Sequence, residues 1–175
     1  MSFFLAAWLS IISHTEDGKL RSLSSVQTKH FEEFGRNYFS RYDYEEVDGG
    51  RANDMMKELR GKLDDGSLVG KEFGEPKKYK VAKADDFEYR DPVDGSVSKK
   101  QGVRIIFEDG SRFVVRLSGT GSVGATIRLY IEKYEADRAH INEDPQVALK
   151  PFIDIALEII KLEHYTARKE PTVIT

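Results

Sequence analysis

The sequence predicts an α+β fold: an antiparallel sheet with helices packed on one face, preceded by two further helices. Three observations predict it. Segments 103–108, 112–117 and 125–134 alternate apolar and polar residues at the period of a half-buried strand. The connections between them are short, so the three form an antiparallel meander. Segments 53–63 and 152–162 carry apolar residues at helical spacing and can cover one face of that sheet.

In chain order, Phe3 to Ser13 reads as a buried helix, apolar on most sides, with the single tryptophan, Trp8, packed in a core. Thr15-Glu16-Asp17-Gly18 is a turn. Ser24 is placed to cap a second helix that runs to Phe34 and ends at Gly35, with Val26, His30 and Phe34 on one face. Two short helices cannot bury a core of their own, so their apolar faces require cover. Tyr38–Val47 is an aromatic, alternating strand, broken by Asp48-Gly49-Gly50. Asn53 is placed to cap a helix through Leu63, with Met55, Met56, Leu59 and Leu63 as core positions. A turn at Asp64-Asp65-Gly66-Ser67 leads toward a strand at Tyr79–Tyr89, and Asp91-Pro92-Val93-Asp94-Gly95-Ser96 is a run of turn residues. Asp109-Gly110 is a hairpin signal between the first two strands of the meander. Asp144 and Pro145 open a helix as N-cap and N1, and Pro151 breaks or restarts it. Phe152, Ile153, Leu157, Ile160 and Leu162 give that helix its apolar face, and Pro171 ends the element.

The stretch with most chemical content is Arg112–Tyr134, which reads as strand, glycine-rich loop, strand. Phe113, Val115 and Leu117 share one face of the first strand, and Arg112, Val114 and Arg116 share the other. The loop Ser118-Gly119-Thr120-Gly121-Ser122 can expose successive backbone N–H groups, and its hydroxyls add donors. Arg116 and Arg128 lie on the flanking strands, opposite the apolar residues. Such a set can hold an oxyanion, most simply a phosphate; it is also compatible with a solvated hairpin loop beside unrelated arginines. Gly119, Gly121 and Gly124 match the spacing G-x-G-x-x-G, but a dinucleotide site needs a helix next and an acidic residue at a second strand end about 20 residues on. Thr126–Ile131 reads as a strand instead, and no strand precedes Asn142 and Glu143.

Composition narrows the classes. With 175 residues, 39% hydrophobic and 33% charged, the chain suits one soluble domain with an appendage. A net charge of −3 and the lack of a Lys/Arg block argue against a nucleic-acid partner. The absence of cysteine excludes disulfides and thiolate metal sites, and permits a reducing cytoplasm. No apolar run approaches the roughly 18 residues of a membrane span. Phe3–Ile12 is apolar enough for a signal-peptide core, yet it lacks a basic n-region and a convincing cleavage site. Neither Ser118 nor Ser122 has a histidine at a motif spacing, and His14, His30, His140 and His164 form no metal motif. The chain therefore offers no catalytic residue and no metal ligand.

The run from Arg116 through Ser118-Gly119-Thr120-Gly121-Ser122 to Ile131 resembles, without a gap, the phosphate-binding loop in the last domain of the alpha-phosphoglucomutases, within the alpha-D-phosphohexomutase family. The resemblance extends to 35–46, 91–96, 144–147 and the terminal Pro171-Thr172-Val173-Ile174-Thr175. It implies a TBP-like C-terminal phosphate-binding domain over 40–175, and over 1–39 the end of a truncated α/β third domain with its linker. It implies an isomerase that interconverts glucose 1-phosphate and glucose 6-phosphate through a phosphoserine and glucose 1,6-bisphosphate, with Mg2+ held elsewhere in the whole enzyme. Carried over position by position, Arg116, Ser118, Gly119, Thr120, Gly121 and Arg128 would hold the substrate phosphate that is not being transferred. Val123 stands where relatives often carry a smaller residue. The implied partners are a sugar phosphate and the N-terminal domains of the same protein, and the implied compartment is the cytoplasm. On this reading the chain alone is a fragment without turnover. Two other readings remain: a non-catalytic structural relative, and a stand-alone phosphate-binding module.

Overall fold

The computed structural model describes residues 3–16, 18–75, 79–119 and 124–175. The chain divides into two compact units, Met1–Arg36 with Glu135–Glu143, and Asn37–Tyr134 with Asp144–Thr175.

The first unit holds helix α1 (Phe3–Ser13), strands β1 (Thr15–Glu16) and β2 (Lys19–Leu20), and helix α2 (Leu23–Phe34). The expected turn at 15–18 is the tip of a small hairpin, with Gly18 at φ 71°. Helix α2 is capped by Ser22, whose Oγ accepts from the Ser25 N–H at 3.1 Å, two residues earlier than expected. At its other end the Gly35 N–H donates to the Phe31 carbonyl at 2.9 Å. The Arg36 guanidinium lies over the Phe31 ring and donates to the Ile141 carbonyl at 2.8 Å. Neither helix buries a residue, and Trp8 is 47% exposed. The expectation of a core tryptophan is thus corrected. Apolar character sets a helix's demand for cover, but among the described residues of this unit no element supplies it.

The second unit is built on one sheet. Its elements are β3 (Arg36–Val47), α3 (Gly49–Asp64), β4 (Glu72–Phe73), β5 (Tyr79–Asp86), β6 (Tyr89–Arg90), β7 (Val97–Ser98), β8 (Val103–Phe107), β9 (Arg112–Ser118), β10 (Ala125–Glu135), α4 (Pro145–Ile160), α5 (Leu162–Thr166) and β11 (Val173–Ile174). The sheet order is β11-β3-β10-β9-β8-β5-β4. Antiparallel pairing joins β11 to β3, β10 to β9, β9 to β8, β8 to β5 and β5 to β4. The meander read from the sequence matches β8, β9 and β10 to within a residue at each end. The tail after Pro171 adds β11 at the sheet edge beside Tyr42 and Asp43. The strand expected over Tyr79–Tyr89 is β5 alone, and β6 pairs instead with β7 across the 91–96 turn.

Alternation decides which face is buried. Phe113 and Val115 of β9, Ile127, Leu129 and Ile131 of β10, and Val103, Ile105 and Phe107 of β8 all point to the helices. Helix α3 contributes Met55, Met56 and Leu59, and α4 contributes Phe152, Ile153, Ala156 and Ile159. Phe152 stands at the centre, its ring 5.0 Å from that of Phe107 and 6.1 Å from that of Phe113. Burial of such aromatics is the main force holding the helices on the sheet.

Helix limits differ from the sequence reading for local reasons. Asp48, not Asn53, caps α3: its Oδ1 accepts from the Arg51 N–H at 2.9 Å. Gly49 and Gly50, expected only to break the strand, form the first turn, and Asn53 donates to the Gly49 carbonyl at 2.7 Å. Pro151 neither breaks nor restarts α4. A mid-helix proline costs about 3 kcal/mol, and the buried face of α4 on both sides of it offsets that cost. The real break is Lys161, left-handed at φ 52°.

Candidate functional site

The face of the sheet opposite the helices carries the polar half of each alternating strand. On it, Arg116 of β9 and Arg128 of β10 are direct cross-strand partners. Like charges placed opposite each other are unfavourable in a sheet by about 0.2–1 kcal/mol, so the pair calls for a counter-charge. Part of it comes from Asp43 of the neighbouring strand β3. Its side chain is 5% exposed and lies 3.7 Å from Arg128 Nε and 3.0 Å from Arg41 Nε. Among the described residues no carboxylate pairs with Arg116, which is exposed.

The ends of the glycine-rich loop are fixed by close backbone geometry. Ser118 closes β9 opposite Thr126, and Gly119 turns the chain away at φ 66°. The chain returns through Gly124 at φ 96°, where a side chain would meet the Glu46 backbone at 3.1 Å. Only glycine suits that approach. Thr120 and Gly121 of the expected site, with Ser122 and Val123, lie outside the described residues.

Farther along the same face the arginines are neutralised. Arg112 donates through Nε to Glu132 at 2.8 Å, and the two are cross-strand partners. Glu132 is thus the ion-pair partner of Arg112. Arg104 makes a two-pronged contact with Asp85, 2.7 Å on each prong, and stacks over Phe87 with 4.6 Å to the ring centroid. This pairing holds the Asp85 carboxyl well below its usual range, at about 2. A groove of about 880 Å3 runs along the face between Phe39, Tyr89, Arg104, Tyr130 and Arg116.

The structure thus brings Arg116 and Arg128 together beside Ser118 and Gly119. Sequence reading missed Asp43. Alternation places an acid at 43 on the outward face of a strand whose inward face is Tyr42 and Tyr44, but only the strand order sets it beside Arg128. The chemistry available is anion binding. No cluster of three or more His, Asp or Glu that could hold a metal ion occurs among the described residues. No helix among them is long and apolar enough to cross a membrane.

Comparison with known proteins places the chain among relatives. Residues 36–172 match the family model described as phosphoglucomutase-1, C-terminal domain. Phosphoglucomutase-1 of Oryctolagus cuniculus is 56% identical over 170 residues, 97% of this chain and 30% of that protein. A protein of Arabidopsis thaliana, named probable phosphoglucomutase, cytoplasmic 2, is 51% identical over 97% of this chain and 30% of its own length. The open-form crystal structure of parafusin, a phosphoglucomutase from Paramecium, superposes with a TM-score of 0.80 at 44% identity, covering 98% of this chain and 28% of that one. The chain spans about three-tenths of the length of the relatives it matches.

Proposed function

The chain belongs to the phosphoglucomutase family, matching its C-terminal domain, and from that premise we propose that it is the phosphate-holding part of an enzyme interconverting glucose 1-phosphate and glucose 6-phosphate. In this reading Arg116, Ser118, Gly119, Thr120, Gly121 and Arg128 grip the substrate phosphate that is not being transferred. The reaction passes through a phosphoserine and glucose 1,6-bisphosphate, and the same grip serves both orientations of the bisphosphate. Holding a remote phosphate contributes binding energy that orients the reacting end of the sugar.

One observation carries the reading. Arg116 and Arg128 face each other in register beside the loop, and Arg116 has no acidic partner among the described residues. A phosphate dianion between two planar guanidinium forks relieves their repulsion and satisfies both.

The partners of this domain are the sugar phosphate and the N-terminal domains of the family, which supply the phosphoserine. We assign residues 1–39 to the end of the third domain and its linker, and 40–175 to the phosphate-binding domain. Mg2+ is the metal of the whole enzyme. The described residues of this chain offer no ligand cluster that fits it, so no step here passes through it. The compartment we propose is the cytoplasm.

A coupled assay and a binding titration on the isolated chain test the proposal together. The expected result is measurable binding of glucose 6-phosphate without turnover. Absence of any binding, or turnover above that of a heat-treated control, contradicts it.

A further inference from the structure

We infer that Gly102 is a positioning residue for Arg116, because its missing side chain leaves the space in which the arginine stem lies; the inference rests on the phosphate reading above. The register between β8 and β9 pairs Val103 with Val115, so Gly102, one residue earlier, comes opposite Arg116. A Cβ at Gly102 would stand 2.8 Å from Arg116 Cγ, 3.1 Å from Val114 Cγ1 and 3.2 Å from the Val115 carbonyl oxygen. The first of these is closer than non-bonded carbons approach.

Gly102 itself has little room to retreat. It is buried, and its carbonyl accepts from the Phe87 N–H at 2.8 Å, while the Gln101 N–H donates to the Phe87 carbonyl at 2.9 Å. The partner able to move is the arginine stem. Strands β8 and β10 flank β9 on opposite sides. A stem resting over Gly102 therefore leans away from Arg128. A methyl group at Gly102 drives the stem back toward Arg128 and narrows the gap that an anion between the two forks requires. At Gly102 an added Cβ meets a side-chain carbon at 2.8 Å and its φ of 155° adds backbone strain, whereas Gly110 has nothing within 4 Å and the tight contacts at Gly124 are with backbone.

The test is a double-mutant cycle on the chain, titrating glucose 6-phosphate against wild type, Gly102→Ala, Arg116→Ala and the double variant, with circular dichroism to check folding. Loss of the guanidinium should weaken binding about 10- to 100-fold. Gly102→Ala should weaken it roughly tenfold, and the double variant should bind no more weakly than Arg116→Ala, since both changes remove the same contact. If Gly102→Ala is folded and binds like wild type while Arg116→Ala does not, the inference fails and the phosphate reading stands. If all four bind alike, or none binds, the phosphate reading fails and takes the inference with it. If Gly102→Ala does not fold, thermal unfolding of the double variant decides. Recovery of a folded state on removing the stem supports the inference, and an equally unfolded double variant overturns it.

Discussion

Asp43 stands beside Arg128 on the neighbouring strand, its Oδ2 3.7 Å from the arginine Nε. Its other oxygen lies 3.0 Å from Arg41 Nε, and the carboxylate is almost fully buried between the two. It is the negative charge beside Arg128, whereas no carboxylate among the described residues pairs with Arg116 across the strand pair. Asp43→Asn keeps the shape and removes the charge. Both arginines are more than a third exposed, so water screens part of the loss. A destabilisation of about 1–2 kcal/mol is expected in urea unfolding, together with a few-fold weaker binding of glucose 6-phosphate.

The Asp85–Arg104 pair predicts a pH dependence. Two hydrogen bonds from Arg104 hold the Asp85 carboxyl at about 2, against an ordinary 3.8. A carboxyl whose folded value is depressed stabilises the fold in its ionised form. Its contribution is fully present above about pH 4 and is lost as pH falls toward 2. Asp85→Asn should therefore lower stability at pH 7 by about 1–2 kcal/mol, discounted for partial exposure. At pH 2 variant and wild type should differ far less. Urea unfolding at the two pH values checks the sign, and an equal gap at both would contradict it.

Hydrogen exchange should separate the two units. Helices α1 and α2 bury no residue, whereas β8, β9 and β10 carry the core. Amides before Gly35 are expected to exchange close to the rate of unprotected peptide. Those in 103–118 and 125–131 should exchange only through near-global unfolding. Uniform protection across the chain would contradict the prediction.

Much of this was legible in the sequence because alternation is a strong signal where one face is buried. Val103 to Phe107, Phe113 to Leu117 and Ile127 to Ile131 disclosed the meander and, with it, the outward face of Arg116 and Arg128. What stayed hidden depended on neighbours far apart in the chain. Asp43 becomes significant only when β3 is placed beside β10, and Gly102 only when β8 is registered against β9. Caps were misread at Ser24 and Asn53 because several capping residues crowd each helix start, and hydrogen-bond geometry chooses among them. Trp8 was misread because an apolar run reports the need for cover without its source.

The central claim is that two opposed arginines, and not the general charge of the face, hold a phosphate. The most direct measurement is a titration of glucose 6-phosphate at fixed salt against wild type, Arg116→Ala, Arg128→Ala and Arg112→Ala. Arg112 shares the outward face of β9 with Arg116 but is paired with Glu132. The account predicts that loss of Arg116 or Arg128 weakens binding about 10- to 100-fold. Lysine at either position should restore only part, since it keeps the charge and loses the planar fork. Arg112→Ala should change binding little. Equal losses for all three substitutions would contradict the account and assign the binding to diffuse positive charge.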